Sequence, residues 1–274
     1  MGAKRSSPAD QPVKMRGPLR ALQRTPVALL LTWVAGFVDA LGYLYIYNIY
    51  VAHMSGNTVA MARHLAHMHG LAAVRHAWPI AVFIVGMIAG SILFEAQIRG
   101  AIRWRVPSTL ALETVCLAVF VYAGVGADFT PDVPPQPAVK YYFLVALLTL
   151  AMGLQNVSIR KVGGLNIYTT FVTGSLVKFA ESVSDLLFWM SDRLRGRGLR
   201  RLVRIVRLVP RNAHFHHAAL TFSLWIAYLL GALAGVAASG RYQLLAMVIP
   251  LAVLFAVTVY ATIRPFILLI EERW

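Results

Sequence analysis

With 274 residues, 58% of them apolar and only 14% charged, the chain carries more hydrophobic sequence than an ordinary soluble domain and too little charge to cover one. The net charge of +15 sits in blocks that flank apolar runs, which suits anionic lipid headgroups and argues against nucleic acid as a partner. A single cysteine, Cys116, lies inside an apolar run, so neither a disulfide framework nor a cysteine metal site fits within one chain.

Residues 1–24 are polar, Pro-containing and basic, the composition of a disordered tail. The next run is long and lacks a small-residue cleavage site, so it reads as a first transmembrane helix with no removed signal peptide. Apolar runs lie at 26–46, 78–98, 107–126, 139–158, 217–238 and 243–268, each near the roughly 20 residues a helix needs to cross the hydrocarbon. The expected fold is therefore an all-α integral membrane protein with six transmembrane helices, three in residues 25–137 and three in residues 138–274.

Cytoplasmic loops carry the Lys and Arg excess. The tail has Lys4, Arg5, Lys14, Arg16, Arg20 and Arg24; the loop after the second run has Arg99, Arg103 and Arg105; the segment from Arg160 to Arg211 has many more. Six spans put all three inside, with both termini cytoplasmic in a bacterial inner membrane. They leave Arg63 and Arg75, the acidic and Pro-rich Asp128 to Pro137, and Arg241 outside. Three spans per half invert the second half relative to the first, a construction of many secondary transporters.

Two segments, 47–66 and 165–186, interrupt the helices. Each opens with aromatic and β-branched residues that favour extended backbone, Tyr45 to Val51 and Ile167 to Val172. Each then reaches Ser55 or Thr173, good N-caps, followed by Gly56 or Gly174. They read as re-entrant or half-helices, tolerated at membrane depth only against protein or a wet cavity. Full crossings would give eight spans, parallel repeats and an outer Arg99–Arg105 loop, which the charge count disfavours. Residues 191–211 alternate arginines with Leu, Val and Ile, the pattern either of a basic amphipathic helix on anionic lipid or of a solvated loop.

The halves match in three places. Gly36 and Asp39 recur 117 residues on as Gly153 and Asn156; Asn48, Tyr50 and Gly56 recur 118 residues on as Asn166, Tyr168 and Gly174; Gly86 and Gly90 recur 145 residues on as Gly231 and Gly235. The same motifs, G-F-x-D-A at Gly36–Ala40, S-G-N-T at Ser55–Thr58, M-G-L-Q-N at Met152–Asn156 and T-G at Thr173–Gly174, resemble the YoaK-type family, bacterial multi-spanning membrane proteins classed as domain of unknown function 1275. The resemblance runs from about Thr25 onward and implies an integral membrane protein, with no activity or substrate attached. Ser55 where threonine is commoner and the arginine-rich insert near residue 200 depart from the family pattern.

An ionisable residue inside a span is costly, which makes Asp39 the leading functional candidate, either as a carrier of a coupling proton or cation or as a structural cap on the facing backbone amides. Ser55, Gly56, Asn57, Gln155, Asn156, Thr173 and Gly174 complete the candidate substrate- or ion-binding set, the alternative for Gln155 and Asn156 being interhelical hydrogen bonds. Glu113 is a weaker case of the same kind, Glu95 is placed to pair with Arg99, and the four glycines of the third match read as close packing faces. The histidines at 64, 67, 69 and 76 lack a carboxylate or cysteine at ligand spacing, so no metal or cofactor is expected, and neither a phosphate loop nor a catalytic triad marks an enzyme. The functional expectation is a secondary transporter or permease for a small, anionic solute. The alternatives are a non-transporting scaffold or sensor binding anionic lipid at Arg193–Arg211, and a channel. Six helices are few for a transporter, which is compatible with a homodimer.

Overall fold

The computed structural model describes residues 18–46, 48–99, 107–124, 138–158, 161–162, 165–166, 169–170, 172–194 and 205–263. Their regular structure is helical apart from one two-residue antiparallel pair, Lys161–Val162 with Leu165–Asn166. We label the helices α1 (Pro18–Tyr45), α2 (Met54–Ala66), α3 (Gly70–Ile98), α4 (Ser108–Gly124), α5 (Ala138–Ser158), α6 (Val172–Leu194), α7 (Ala213–Tyr242) and α8 (Val248–Ile263). Every apolar run expected to span is helical over its described residues apart from Ile46 and Pro107 at run ends. The tail before Pro18, Arg103 and Arg105, the 128–137 loop, Ile167, Tyr168, Phe171 and residues 195–204 of the basic insert lie outside the described residues.

Among the described residues four stretches are long and apolar enough to cross a membrane: Thr25–Tyr45, Gly70–Gln97, Val139–Ser158 and Ala213–Ile263. The last joins α7 to α8 through a 3-10 turn, Gln243–Met247, entered at a left-handed Gln243 (φ 49°). Ser108–Gly124 is a shorter apolar helix. Around the outside, Ile84, Val85, Ile88 and Ile92 of α3, Leu229, Leu230, Leu233 and Val236 of α7 and Phe255 and Val259 of α8 are exposed. An apolar surface of that extent suits lipid and not water.

Helix α1 is the central element. Ala28, Leu31, Val34, Phe37, Val38 and Leu41 are all buried, so the helix is enclosed on nearly every side, as expected for one apolar all round. It packs along α7 through a seam of small residues. A Cβ on Gly36 would strike the Tyr228 carbonyl, one on Gly231 the Trp33 carbonyl, and one on Gly235 would come 2.9 Å from the Phe37 carbonyl. Helices α3 and α5 form the counterpart seam, in which a Cβ on Gly153 would lie 2.6 Å from the Phe83 carbonyl and one on Gly86 2.8 Å from the Leu150 carbonyl. The third glycine, Gly90, faces Val157 and Leu154. The glycines that match between halves thus build two equivalent seams, each joining a helix of one half to a helix of the other. Close backbone approach of this kind is how helices associate where no hydrophobic force drives them together.

The two interrupted segments differ from their expected form. After Tyr45 the chain turns at Asn48, left-handed at φ 56°, and α2 begins only at Met54. Asparagine tolerates that backbone region better than most residues. Ser55 does not cap α2: it lies exposed in the first turn, and the N-cap position belongs to His53, which makes no side-chain cap hydrogen bond. The reason is that side chains from elsewhere already hold the backbone ahead of the helix. In the second half α6 is a continuous 23-residue helix rather than a short one, with Arg193 in its last turn, whose guanidinium lies 4.1 Å over the Trp189 ring. Its inner face packs on α7, with Phe179 and Phe222 ring centroids 5.2 Å apart.

Candidate functional site

Asp39 stands 4% exposed on α1, facing the turn that leads to α2. Its Oδ1 accepts from the backbone N–H groups of Val51 and Ala52, both at 2.8 Å. Its Oδ2 accepts from Nδ1 of His53 at 2.6 Å and from the Tyr228 hydroxyl of α7 at 2.7 Å. A carboxylate offers about four lone-pair directions, and all are used. The Tyr228 hydroxyl also lies 3.1 Å from His53 Nδ1, which closes a three-membered polar cluster. The hydrogen bond to Asp39 raises the His53 pKa, against the opposing pull of its burial. The amides that Asp39 holds are those of Val51 and Ala52, upstream of the expected Ser55-Gly56 pair.

Asn57, wholly buried, completes the clamp. Its Oδ1 accepts from Tyr50 N–H at 3.2 Å, and its Nδ2 donates to Tyr50 carbonyl at 2.6 Å. The Tyr50 ring stacks on Tyr43 with centroids 4.9 Å apart and lies over Gly56, where a Cβ would approach within 2.7 Å. Gly56 is therefore glycine because an aromatic ring occupies its side-chain space. A cavity of about 490 Å³ opens beside this cluster, lined by Asp39, His53, Tyr228, Tyr50, Ser55 and Gly56 among others.

The second half repeats the clamp with neutral groups. Asn156 Oδ1 accepts from the Thr170 hydroxyl at 2.8 Å, and Gln155 Nε2 donates to the Leu31 carbonyl of α1 and, at 3.4 Å, to Thr169. In the 118-residue match of the loops Thr170 stands opposite Ala52, whose N–H Asp39 holds, so the two helix ends grasp matching points of the chain. Gln155 and Asn156 thus make the interhelical and local bonds weighed as their alternative. Thr173 and Gly174 sit in the first turn of α6. The eight candidate residues are not brought to one cavity: Asp39, Ser55 and Gly56 share the one beside α1, which none of Gln155, Asn156, Thr173 and Gly174 lines.

His53, Tyr228 and Thr170 were not singled out in the sequence. Alignment of the loops at 118 residues sets Thr170 opposite Ala52, one residue before His53, which could have pointed to this stretch. Tyr228, 189 residues from Asp39, leaves no local signal. Elsewhere, Glu113 is 0% exposed in α4 and both its carboxyl oxygens lack a hydrogen-bond partner among the described residues. Glu95 pairs with Arg99 at 3.4 Å, one turn on. The His64 and His76 rings stack with centroids 5.4 Å apart.

The family model described as "Protein of unknown function (DUF1275)" matches residues 27–260, which include both clamps and both glycine seams. The chain belongs to the DUF1275 family. This DUF1275 protein is also similar to the UPF0700 transmembrane protein YoaK of Bacillus subtilis (strain 168), 26% identical over 219 residues that cover 77% of this chain and 92% of that one. No solved structure matches it. A relative named a transmembrane protein and four apolar stretches of spanning length agree: this DUF1275 chain is a helical membrane protein.

Proposed function

We propose that this DUF1275 protein is a secondary transporter or permease for a small anionic solute, coupled to protons through the Asp39–His53–Tyr228 cluster. In this reading six helices form two inverted three-helix repeats in a bacterial inner membrane, with both termini cytoplasmic. The observation that carries it is a buried carboxylate hydrogen-bonded to a histidine and a tyrosine at the wall of a cavity of about 490 Å³. An ionisable pair inside a membrane protein is a functional site by default, and histidine is the side chain whose charge changes near neutral pH. Filled lone pairs on Asp39 leave no vacant position for a metal cation, so in this reading the coupling ion is a proton taken up at the His53 imidazole.

A non-transporting scaffold is the second reading, and the same saturation favours it: a carboxylate whose every acceptor site is used can serve as a tie and nothing more. Proteoliposomes with an imposed pH gradient, screened against a panel of organic and inorganic anions, separate the two. The transporter reading expects uptake driven by the gradient and lost in His53→Gln, with the variant still folded. Uptake that persists undiminished in His53→Gln removes the coupling role from the cluster, and no uptake of any anion sides with the scaffold.

A further inference from the structure

A second cavity, about 810 Å³, opens between the C-terminal end of α2 and the N-terminal end of α3. We propose that this cleft is a binding site for an anion bearing a phosphate or carboxylate group, held by Arg63 and Arg75 with His64 and His76 beside them. The inference deepens the anionic-solute reading above, yet the cleft can bind whether or not the chain transports.

Four observations carry it. Arg63, His64, Arg75 and His76 all line the cleft, and among the described residues no aspartate or glutamate does. Neither arginine forms an ion pair among the described residues, so two positive charges face one space with no described acidic side chain against them. Guanidinium groups present planar forks of N–H donors that match phosphate and carboxylate oxygens, two bonds at a time. His76 is only 8% exposed and its Nδ1 has no hydrogen-bond partner among the described residues, a rare state for a buried polar atom. The volume suits a small organic anion or a lipid headgroup.

The cleft also has a place relative to the Asp39 cavity. Both are lined by Tyr43, Tyr50, Ser55 and Gly56, so the stacked tyrosines stand between them. An anion gathered by the arginines would meet the Asp39 cluster next, across a single aromatic pair.

The test uses the purified full chain in an uncharged detergent, followed by thermal shift with inorganic phosphate and with citrate. A parallel arm reconstitutes it in phosphatidylglycerol or in phosphatidylcholine. If the occupant is a free anion, phosphate or citrate raises the wild-type melting temperature, and the Arg63→Gln/Arg75→Gln double variant needs about tenfold or more ligand for the same shift, the effect of losing charge-assisted contacts. If it is a lipid headgroup, the gain appears only in phosphatidylglycerol and shrinks in the double variant. Arg63→Gln alone, at an exposed position, carries the same comparison at smaller amplitude should the double variant fold poorly. Asp39→Asn should keep the shift, which separates failure of the coupling role from failure of this site. No anion-dependent shift in either arm, or one as large in the double variant, overturns the proposal.

Discussion

Asp39→Ala is expected to cost about 3–5 kcal/mol of stability, the range for breaking a buried charged pair by removing one partner. Two backbone N–H groups, of Val51 and Ala52, would lose their acceptor inside the protein, along with His53 and the Tyr228 hydroxyl. Each buried donor left unmade costs about 1–3 kcal/mol. Asp39→Asn keeps one oxygen for the two amides but turns its other end into a donor facing His53 and Tyr228, so about 1–3 kcal/mol is expected. Melting of the protein in detergent, ranked as wild type, Asp39→Asn, Asp39→Ala, reads the order directly. The pH dependence has a definite sign. Because the bond to Asp39 raises the His53 pKa, the stability this pair adds is full below the ordinary histidine range and is lost as pH rises through the folded-state value. The gap between wild type and Asp39→Asn should therefore narrow on the alkaline side. A gap that widened there would place the histidine in the wrong charge state.

Gly36→Leu and Gly231→Leu are expected to force α1 and α7 apart, at a cost of about 1–3 kcal/mol for overpacking and more where the obstacle is backbone that cannot swing aside. Both Cβ positions are already occupied by carbonyl groups of the facing helix, Tyr228 for Gly36 and Trp33 for Gly231. The change also reaches the site, since Tyr228 is the residue that donates to Asp39, three residues along α1 from Gly36. Equivalence of the halves makes a further demand. Gly153→Leu, at the α3–α5 seam and 2.6 Å short of the Phe83 carbonyl, should destabilise to a similar degree. Gly240→Leu, whose Cβ meets nothing within 4 Å, serves as the neutral control. If Gly153→Leu behaved like Gly240→Leu, the two seams would not be equivalent.

The helices were legible because hydrophobic run length is a strong and local signal: the runs at 139–158 and 217–238 lie within α5 and α7, and the run at 26–46 passes the end of α1 by one residue. Boundaries were less so. Helix α3 starts at Gly70, well before the apolar run at 78–98, because Arg75 and His76, at the rim of a cleft, break the hydrophobic signal of its first turns. The glycine matches were readable as packing faces from their small-xxx-small spacing. Which face met which could not be, since each seam pairs helices from different halves. The importance of Asp39 was visible in its placement alone. Its partners were not: a carboxylate that binds backbone N–H groups 12 and 13 residues on leaves no trace in the identity of Val51 and Ala52. Ser55 misled for the same reason, because Asp39 and Asn57 hold the backbone ahead of α2 at Tyr50, Val51 and Ala52, and sequence chemistry cannot tell which of several competent side chains the fold will use.

The account rests on two halves inserted in opposite senses, so sidedness tests it most directly. In a Cys116→Ala background, single cysteines at Arg99→Cys and Arg241→Cys, in the exposed turns that follow α3 and end α7, are exposed to a membrane-impermeant maleimide on intact cells. Inverted repeats of three helices predict that Arg241→Cys reacts and that Arg99→Cys reacts only after the membrane is opened. Labelling of Arg99→Cys from outside intact cells would contradict the inverted arrangement.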